Sequence, residues 1–161
     1  MNTGVPSFSA TTALEIVRDI RAIAPDALFA VETPSVCGHE LGYVPEAELA
    51  QVYGMADCTL MPSLDLEGFG LATVESLACG TPVLASNAGA NPELVGPLDK
   101  ELLYPAGDSV ALSQRLKAIL EGSQRMPSRN RCVDYARETF LWDRPVGAFE
   151  RIWERYAVRS T

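Results

Sequence analysis

A chain of 161 residues is the size of one ordinary domain, able to bury a single core but not two substantial ones. A hydrophobic content of 47% fits a folded protein, while a net charge of -8 and a pI near 4.6 argue against a general nucleic-acid or anionic-membrane surface. Cys37, Cys58, Cys79 and Cys132 have neither the paired close spacing of a zinc site nor the density of a disulfide scaffold, so they read as small buried hydrophobes in a reducing compartment. No charged-then-apolar leader is read at the N-terminus and no apolar run approaches bilayer length, which makes cytoplasmic the expected address.

From Ala10 to Ala24 the residues Ala13, Ile16, Val17, Ile20, Ile23 and Ala24 follow helical spacing, and Pro25-Asp26 ends the helix. Ala27 to Val31 is apolar on successive rather than alternate positions, the pattern of a strand buried on both faces of a parallel sheet. After Thr33-Pro34-Ser35 a short segment reaches Leu41 to Val44. A helix starts at about Pro45 with Glu46 and Glu48 near its positive end and Leu49, Val52, Tyr53 and Ala56 on one face.

Thr59-Leu60-Met61, closed by Pro62-Ser63, is the next strand, and a helical pattern then runs to Gly80 before the strand Val83 to Ala85. A turn-rich loop, Ser86 to Ala90, leads to a short helix at Pro92 to Val95, the kind of strand-end loop at which open α/β sheets hold ligands. Leu102 to Tyr104 is a short strand. Helices follow from Ser109 or Val110 to Leu120 with Gly122 beyond, from Ser128 to Phe140, and from Pro145 to Val158. The last carries a broad apolar face of Val146, Phe149, Ile152, Trp153 and Tyr156. This alternation predicts a Rossmann-like doubly wound α/β domain with a parallel sheet.

The chemistry concentrates in Glu67-Gly68-Phe69-Gly70-Leu71-Ala72-Thr73-Val74-Glu75, between a strand and a helix. A helix opening at Gly70 points unpaired backbone N–H groups and the positive end of its dipole at whatever lies above the strand ends, where an anion fits. Gly68 and Gly70 have no side chain to block a ligand, and Glu67 and Glu75 each offer a carboxylate to vicinal hydroxyls. A phosphate flanked by sugars uses all of these parts. Glu75 is also expected in the first helical turn, where the dipole favours it by roughly 0.3–1 kcal/mol. Phe69, one aromatic between glycines, is expected to anchor the loop by packing rather than to stack on a ligand.

With these residues in hand, the chain resembles the nucleotide-binding C-terminal domain of retaining GT-B glycosyltransferases of the group 1 type. The resemblance spans roughly Leu41 to the C-terminus and rests on Leu41 to Pro45, Tyr53 to Asp57, Pro62-Ser63, the Glu-x7-Glu run, Ala78 to Val83, and Asn91 to Val95. It implies one half of a GT-B fold and a single nucleotide-sugar-binding domain over 1–161. In the family the residue matching Glu67 sits against donor-sugar hydroxyls and is the one assigned a catalytic, sugar-positioning role. The amides matching Phe69, Gly70 and Leu71, with Gly68, approach the sugar and diphosphate; Glu75 matches the acceptor of the ribose hydroxyls; and the stretch with Tyr43 and Val44 runs beside the base. The resemblance implies a nucleotide-diphosphate sugar as donor, UDP-sugar ahead of GDP-sugar, with retention at the anomeric carbon, no metal and no cofactor.

The chain departs from the family where the first strand normally ends in Gly-Arg and the first helix opens with Lys-Gly. It reads Val5 to Ala13 there, with Ser7 and Thr12 standing near the two cations' places. Losing charge-assisted contacts to a developing dianion costs on the order of several kcal/mol of transition-state stabilisation. A short link, Glu32 to Glu40, replaces the family's usual helix. The acceptor-binding half is missing, so an acceptor domain or partner chain is expected to complete the cleft, with peripheral membrane association through that half, and the helix at about 145–158 normally packs toward it.

The expected function is the donor-binding domain of a hexosyl-transferring enzyme, weak or inactive alone. A non-catalytic nucleotide- or partner-binding module derived from that fold is the alternative. A sugar-nucleotide 2-epimerase ranks third, because proton transfer at a ring carbon needs acid and base groups that have no place here. His39 invites a role as general base but has no carboxylate or nucleophile at motif spacing. Asp57, Asp65 and Glu93 are expected to be surface or capping groups, and the Trp153 face a core or domain-packing stripe that, if exposed, marks a subunit contact.

Overall fold

Every residue of the two central strands is buried, which is why Leu60-Met61 and Val83-Leu84-Ala85 are apolar without alternation, while the buried hydroxyls of Thr59 and Ser86 are hydrogen-bonded. In this computed structural model, which describes residues 30–31, 44–65 and 68–157, the elements run β1 (Ala30–Val31), α1 (Glu46–Met55), β2 (Thr59–Met61), α2 (Leu71–Ala78), β3 (Val83–Ser86), α3 (Asn91–Val95), a 3-10 turn (Lys100–Leu102), β4 (Leu103–Tyr104), α4 (Ser109–Leu120), α5 (Arg129–Phe140) and α6 (Asp143–Ala157). The described strands form one parallel sheet in the order β1-β2-β3-β4, registered by Ala30 opposite Thr59, Leu60 opposite Leu84, and Ser86 opposite Tyr104.

The period of two along a strand sends alternate residues to opposite cores. On one face Met61, Val83 and Ala85 pack with Leu77 of α2, Leu94 and Val95 of α3, and Cys132, Tyr135 and Ala136 of α5. On the other, Cys58, Leu60, Leu84 and Tyr104 pack with Leu112 and Leu116 of α4. Helices therefore cover both faces of the sheet, as the sequence leads one to expect of an α/β domain.

Local signals set the helix ends. The Asp108 carboxylate accepts from Ala111 N at 2.8 Å to cap α4, and the Ser128 hydroxyl accepts from Arg131 N at 3.3 Å to cap α5. At the end of α2, Gly80 takes φ 82°, its N–H reaches Leu77 O at 3.0 Å, and Thr81 N reaches Ser76 O at 2.9 Å. This is a Schellman ending. A Cβ on Gly80 would lie 3.3 Å from Arg129 Cβ, so the left-handed turn also lets α5 approach closely.

Two expected boundaries move. α6 opens at Asp143 rather than Pro145, because a proline in the first turn lacks only an N–H that has no helical partner there. β4 starts at Leu103, since Lys100 to Leu102 wind into the 3-10 turn. The expected helix from Ala10 to Ala24, most of the strand from Ala27, and Leu41 to Tyr43 lie outside the described residues. The apolar stripe of α6 is not core: no residue of that helix is buried, with Phe149 73% and Trp153 78% exposed.

Burial raises the thiol of Cys58 to about 12 and pushes up the thiols of Cys79 and Cys132 and the phenols of Tyr104 and Tyr135. All five shifts share one sign. The folded state holds these protons more tightly than the unfolded chain, whose cysteines ionise near 9.0, so their contribution is intact below that pH and is lost as pH rises through the folded values. Urea unfolding midpoints are therefore expected to hold up to about pH 8 and to fall steadily from about pH 9 toward 12, with a shallower fall in Cys58→Ala.

Candidate functional site

β2 ends at Met61, and the loop after it is fastened to the neighbouring strand: Ser86 Oγ donates to Ser63 O at 2.6 Å. Beside it, Ala106 N donates to Asn87 Oδ1 at 2.8 Å. These bonds hold the loops at the C-terminal edge of the sheet, where the chain enters the glycine-bearing turn.

Gly70 is buried, sits at the N-cap of α2 and adopts φ 74° and ψ 51°, a left-handed conformation natural to glycine. A glycine cap has no side chain to offer the helix. The first intrahelical bond runs from Val74 N to Gly70 O at 3.2 Å, so the amides of Leu71, Ala72 and Thr73 precede the ladder. Two residues before Gly70, Gly68 is exposed, and a Cβ there would meet nothing within 4 Å. Thr73 is wholly buried, and its hydroxyl donates to Asn91 Oδ1 at 3.4 Å, tying the first turn of α2 to that of α3. Asn91 Nδ2 is buried with no hydrogen-bond partner among the described residues.

Glu75 is the fifth residue of α2, in its second turn. The dipole argument for a first-turn glutamate therefore does not apply to it. It shares an exposed stripe with Leu71 one turn earlier and Ala78 later. Tyr53 Oη donates to Glu75 Oε2 at 3.3 Å. The sequence places Tyr53 on one face of α1 and in the Tyr53 to Asp57 stretch of the resemblance but gives no sign of a bond to Glu75; the phenol of a half-buried tyrosine takes polar partners, and the carboxylate is among them.

Phe69 is 55% exposed yet anchored, as a lone aromatic between glycines suggests. Its ring meets Phe140 edge-on with centroids 6.5 Å apart, and Phe140 meets Tyr135 edge-on at 5.6 Å. Tyr135 in turn donates to Leu94 O at 2.8 Å. The site loop is thus braced by the last turn of α5.

Of the expected site residues, Gly68, Phe69, Gly70 and Leu71 follow one another at the mouth of α2 with Glu75 a turn beyond, and Val44 stands half-buried just before α1. Glu67, Tyr43, His39, Ser7 and Thr12 lie outside the described residues. Asp57, Asp65 and Glu93 are exposed, as surface groups would be. Cys58 and Cys132 are buried and their thiols pushed up, which keeps them protonated at neutral pH. Among the described residues no cluster of three His, Cys, Asp or Glu side chains is placed to hold a metal ion, and no helix is long and apolar enough to cross a membrane.

A helix opening at a left-handed glycine beside the strand ends of a parallel sheet places this turn where open α/β domains hold ligands. Residues 39–139 match the family model described as "Glycosyl transferases group 1", and the chain belongs to that family. It is 40% identical over 124 residues to a phosphatidyl-myo-inositol mannosyltransferase of Mycobacterium leprae, a match covering 75% of this chain and 32% of that protein. It is 36% identical over 104 residues to the O-antigen chain mannosyltransferase B of Escherichia coli, covering 64% and 26%. A solved structure of sucrose-phosphate synthase from Thermosynechococcus elongatus superposes with a TM-score of 0.65 at 28% identity, over 74% of this chain and 30% of that one. The fold is that of a GT-B glycosyltransferase domain, and the chain spans about a third or less of the length of these relatives.

Phe140→Ala removes both edge-on contacts from a half-buried ring and is expected to cost about 2 kcal/mol of stability. Urea unfolding checks the magnitude, and faster amide hydrogen exchange at Gly68 to Leu71 checks that the loop is what loosens.

Proposed function

We propose that this chain is the donor-binding domain of a glycosyltransferase that moves a hexosyl group from a nucleotide-diphosphate sugar to an acceptor, with retention. The observation that carries the reading is the uncapped mouth of α2, with Gly70 left-handed, Gly68 unobstructed and Glu75 along the exposed flank. The diphosphate takes the amides of Phe69 to Leu71 that the resemblance names, joined by those of Ala72 and Thr73, which also precede the helical ladder; Glu75 accepts the ribose hydroxyls, Glu67 faces the sugar, and Tyr43 and Val44 lie beside the base. The leaving diphosphate is stabilised by backbone dipoles rather than a metal. No side chain of this chain serves as nucleophile.

The mannosyltransferase relatives support hexosyl transfer. UDP ranks ahead of GDP as the donor's nucleotide on the family resemblance alone. The acceptor binds to another domain or partner chain. The exposed aromatic face of α6 packs against that half. Ser7 and Thr12, where the family has Arg and Lys, support a second reading, a binding module that no longer catalyses.

Calorimetric titration with UDP, GDP and ADP tests the proposal. Heat of binding is expected with UDP or GDP, and Glu75→Gln is expected to weaken it about tenfold, the value of one or two charge-assisted hydrogen bonds. Silence with all three nucleotides would leave only a partner-binding module. Release of UDP from UDP-glucose by the isolated chain is expected to be very slow, and robust release would contradict the half-site reading.

A further inference from the structure

Glu75 is held from a second helix, and that helix is itself held. Tyr53, in the last turn of α1, donates its phenolic proton to Glu75 Oε2 at 3.3 Å. The main chain at that turn is pinned from two directions. Thr81 Oγ1 donates to Tyr53 O at 2.6 Å and lies 3.4 Å from Ala56 O. From α5, Arg129 donates to Gly54 O at 2.9 Å and to Ala56 O at 2.8 Å, placing a guanidinium on the last carbonyls of α1 where the helix dipole favours a cation.

The consequence falls on the carboxylate. An exposed glutamate samples many rotamers and loses that freedom when it binds a diol. A phenol fixed by a clamped helix end selects one arrangement beforehand, engaging Oε2 and leaving Oε1 with no hydrogen bond among the described residues. An ionised carboxylate has lone pairs enough to keep the phenol and accept two ribose hydroxyls as well. Preorganisation of this kind raises affinity by removing an ordering cost rather than by adding a contact to the ligand.

We infer that Tyr53 is a positioning residue for Glu75, tuning the site for nucleotides that carry both ribose hydroxyls. The inference rests on the donor-site reading, in which Glu75 takes the ribose. It makes a selective claim: losing the phenol weakens binding only of a ligand that uses the carboxylate. A purely structural tyrosine would affect all nucleotides alike.

The test is calorimetric titration of the full 161-residue chain with UDP, GDP and their 2′,3′-dideoxy analogues, using wild type, Tyr53→Phe, Glu75→Gln and the double variant. Matching circular dichroism spectra and urea midpoints establish that each variant is folded, and Tyr53→Phe keeps the ring that packs. Wild type is expected to prefer the ribonucleotide about tenfold or more, Glu75→Gln to abolish the preference, and Tyr53→Phe to weaken ribonucleotide binding about three- to tenfold with the dideoxy analogue unchanged. The double variant should match Glu75→Gln. A full wild-type preference in Tyr53→Phe, with Glu75→Gln still losing it, overturns the role of Tyr53 alone, as does equal weakening of both ligands. No binding by wild type, or no loss in Glu75→Gln, overturns the donor-site reading beneath it.

Discussion

The conformation of Gly70 decides where the chain leaves the sheet and what it presents there. At φ 74° and ψ 51° the residue turns the loop after β2 into the start of α2 without a side chain at the cap. The amides of Leu71 to Thr73 therefore open toward the edge of the sheet, and the register of α2 puts Thr73, Ser76 and Leu77 inside and Leu71 and Glu75 outside. Any residue with a Cβ at position 70 would strain the turn by about 1–2 kcal/mol.

What surrounds that turn comes from distant sequence. Ser86 fastens the loop after β2, Phe140 braces Phe69 from the end of α5, and Arg129 holds the end of α1, from which Tyr53 reaches Glu75. Gly80 allows this arrangement, because its left-handed turn lets Arg129 lie against the end of α2. One helix, α5, thus supports both the loop and the carboxylate. The polar links beneath the site are equally specific: Thr59 and Ser76 hydroxyls lie 2.8 Å apart, and Ser76 also donates to Thr81 O at 3.0 Å. Buried hydroxyls paired in this way fix one register of α2 against the sheet.

The elements that were legible in the sequence were those with a strong local signal. Apolar runs without alternation gave the buried parallel strands, and Gly122 gave the end of α4. The glycines around Phe69 gave the mouth of α2, because the backbone there needs a residue without a Cβ. Arg129 was not legible, since a cation whose partners lie more than seventy positions away has no pattern around it. Nor was the link between Tyr53 and Glu75, 22 positions apart, because helical spacing explains Tyr53 adequately as a packing residue. Glu75 was expected one turn too early: it is the fifth residue counted from Leu71 and the sixth counted from Gly70, so it lies in the second turn on either count. The apolar stripe of α6 was legible as a stripe, but sequence periodicity does not say what covers it.

The central claim is that the backbone at the start of α2 binds the phosphates of a nucleotide. Amide chemical shifts of the uniformly ¹⁵N-labelled chain, followed during titration with UDP and with GDP, test it most directly. The account predicts that the largest changes fall on Gly70 to Thr73, with smaller ones along the flank at Glu75 and at Tyr53. Saturating shifts centred elsewhere on the sheet, or no shifts with either nucleotide, would contradict it.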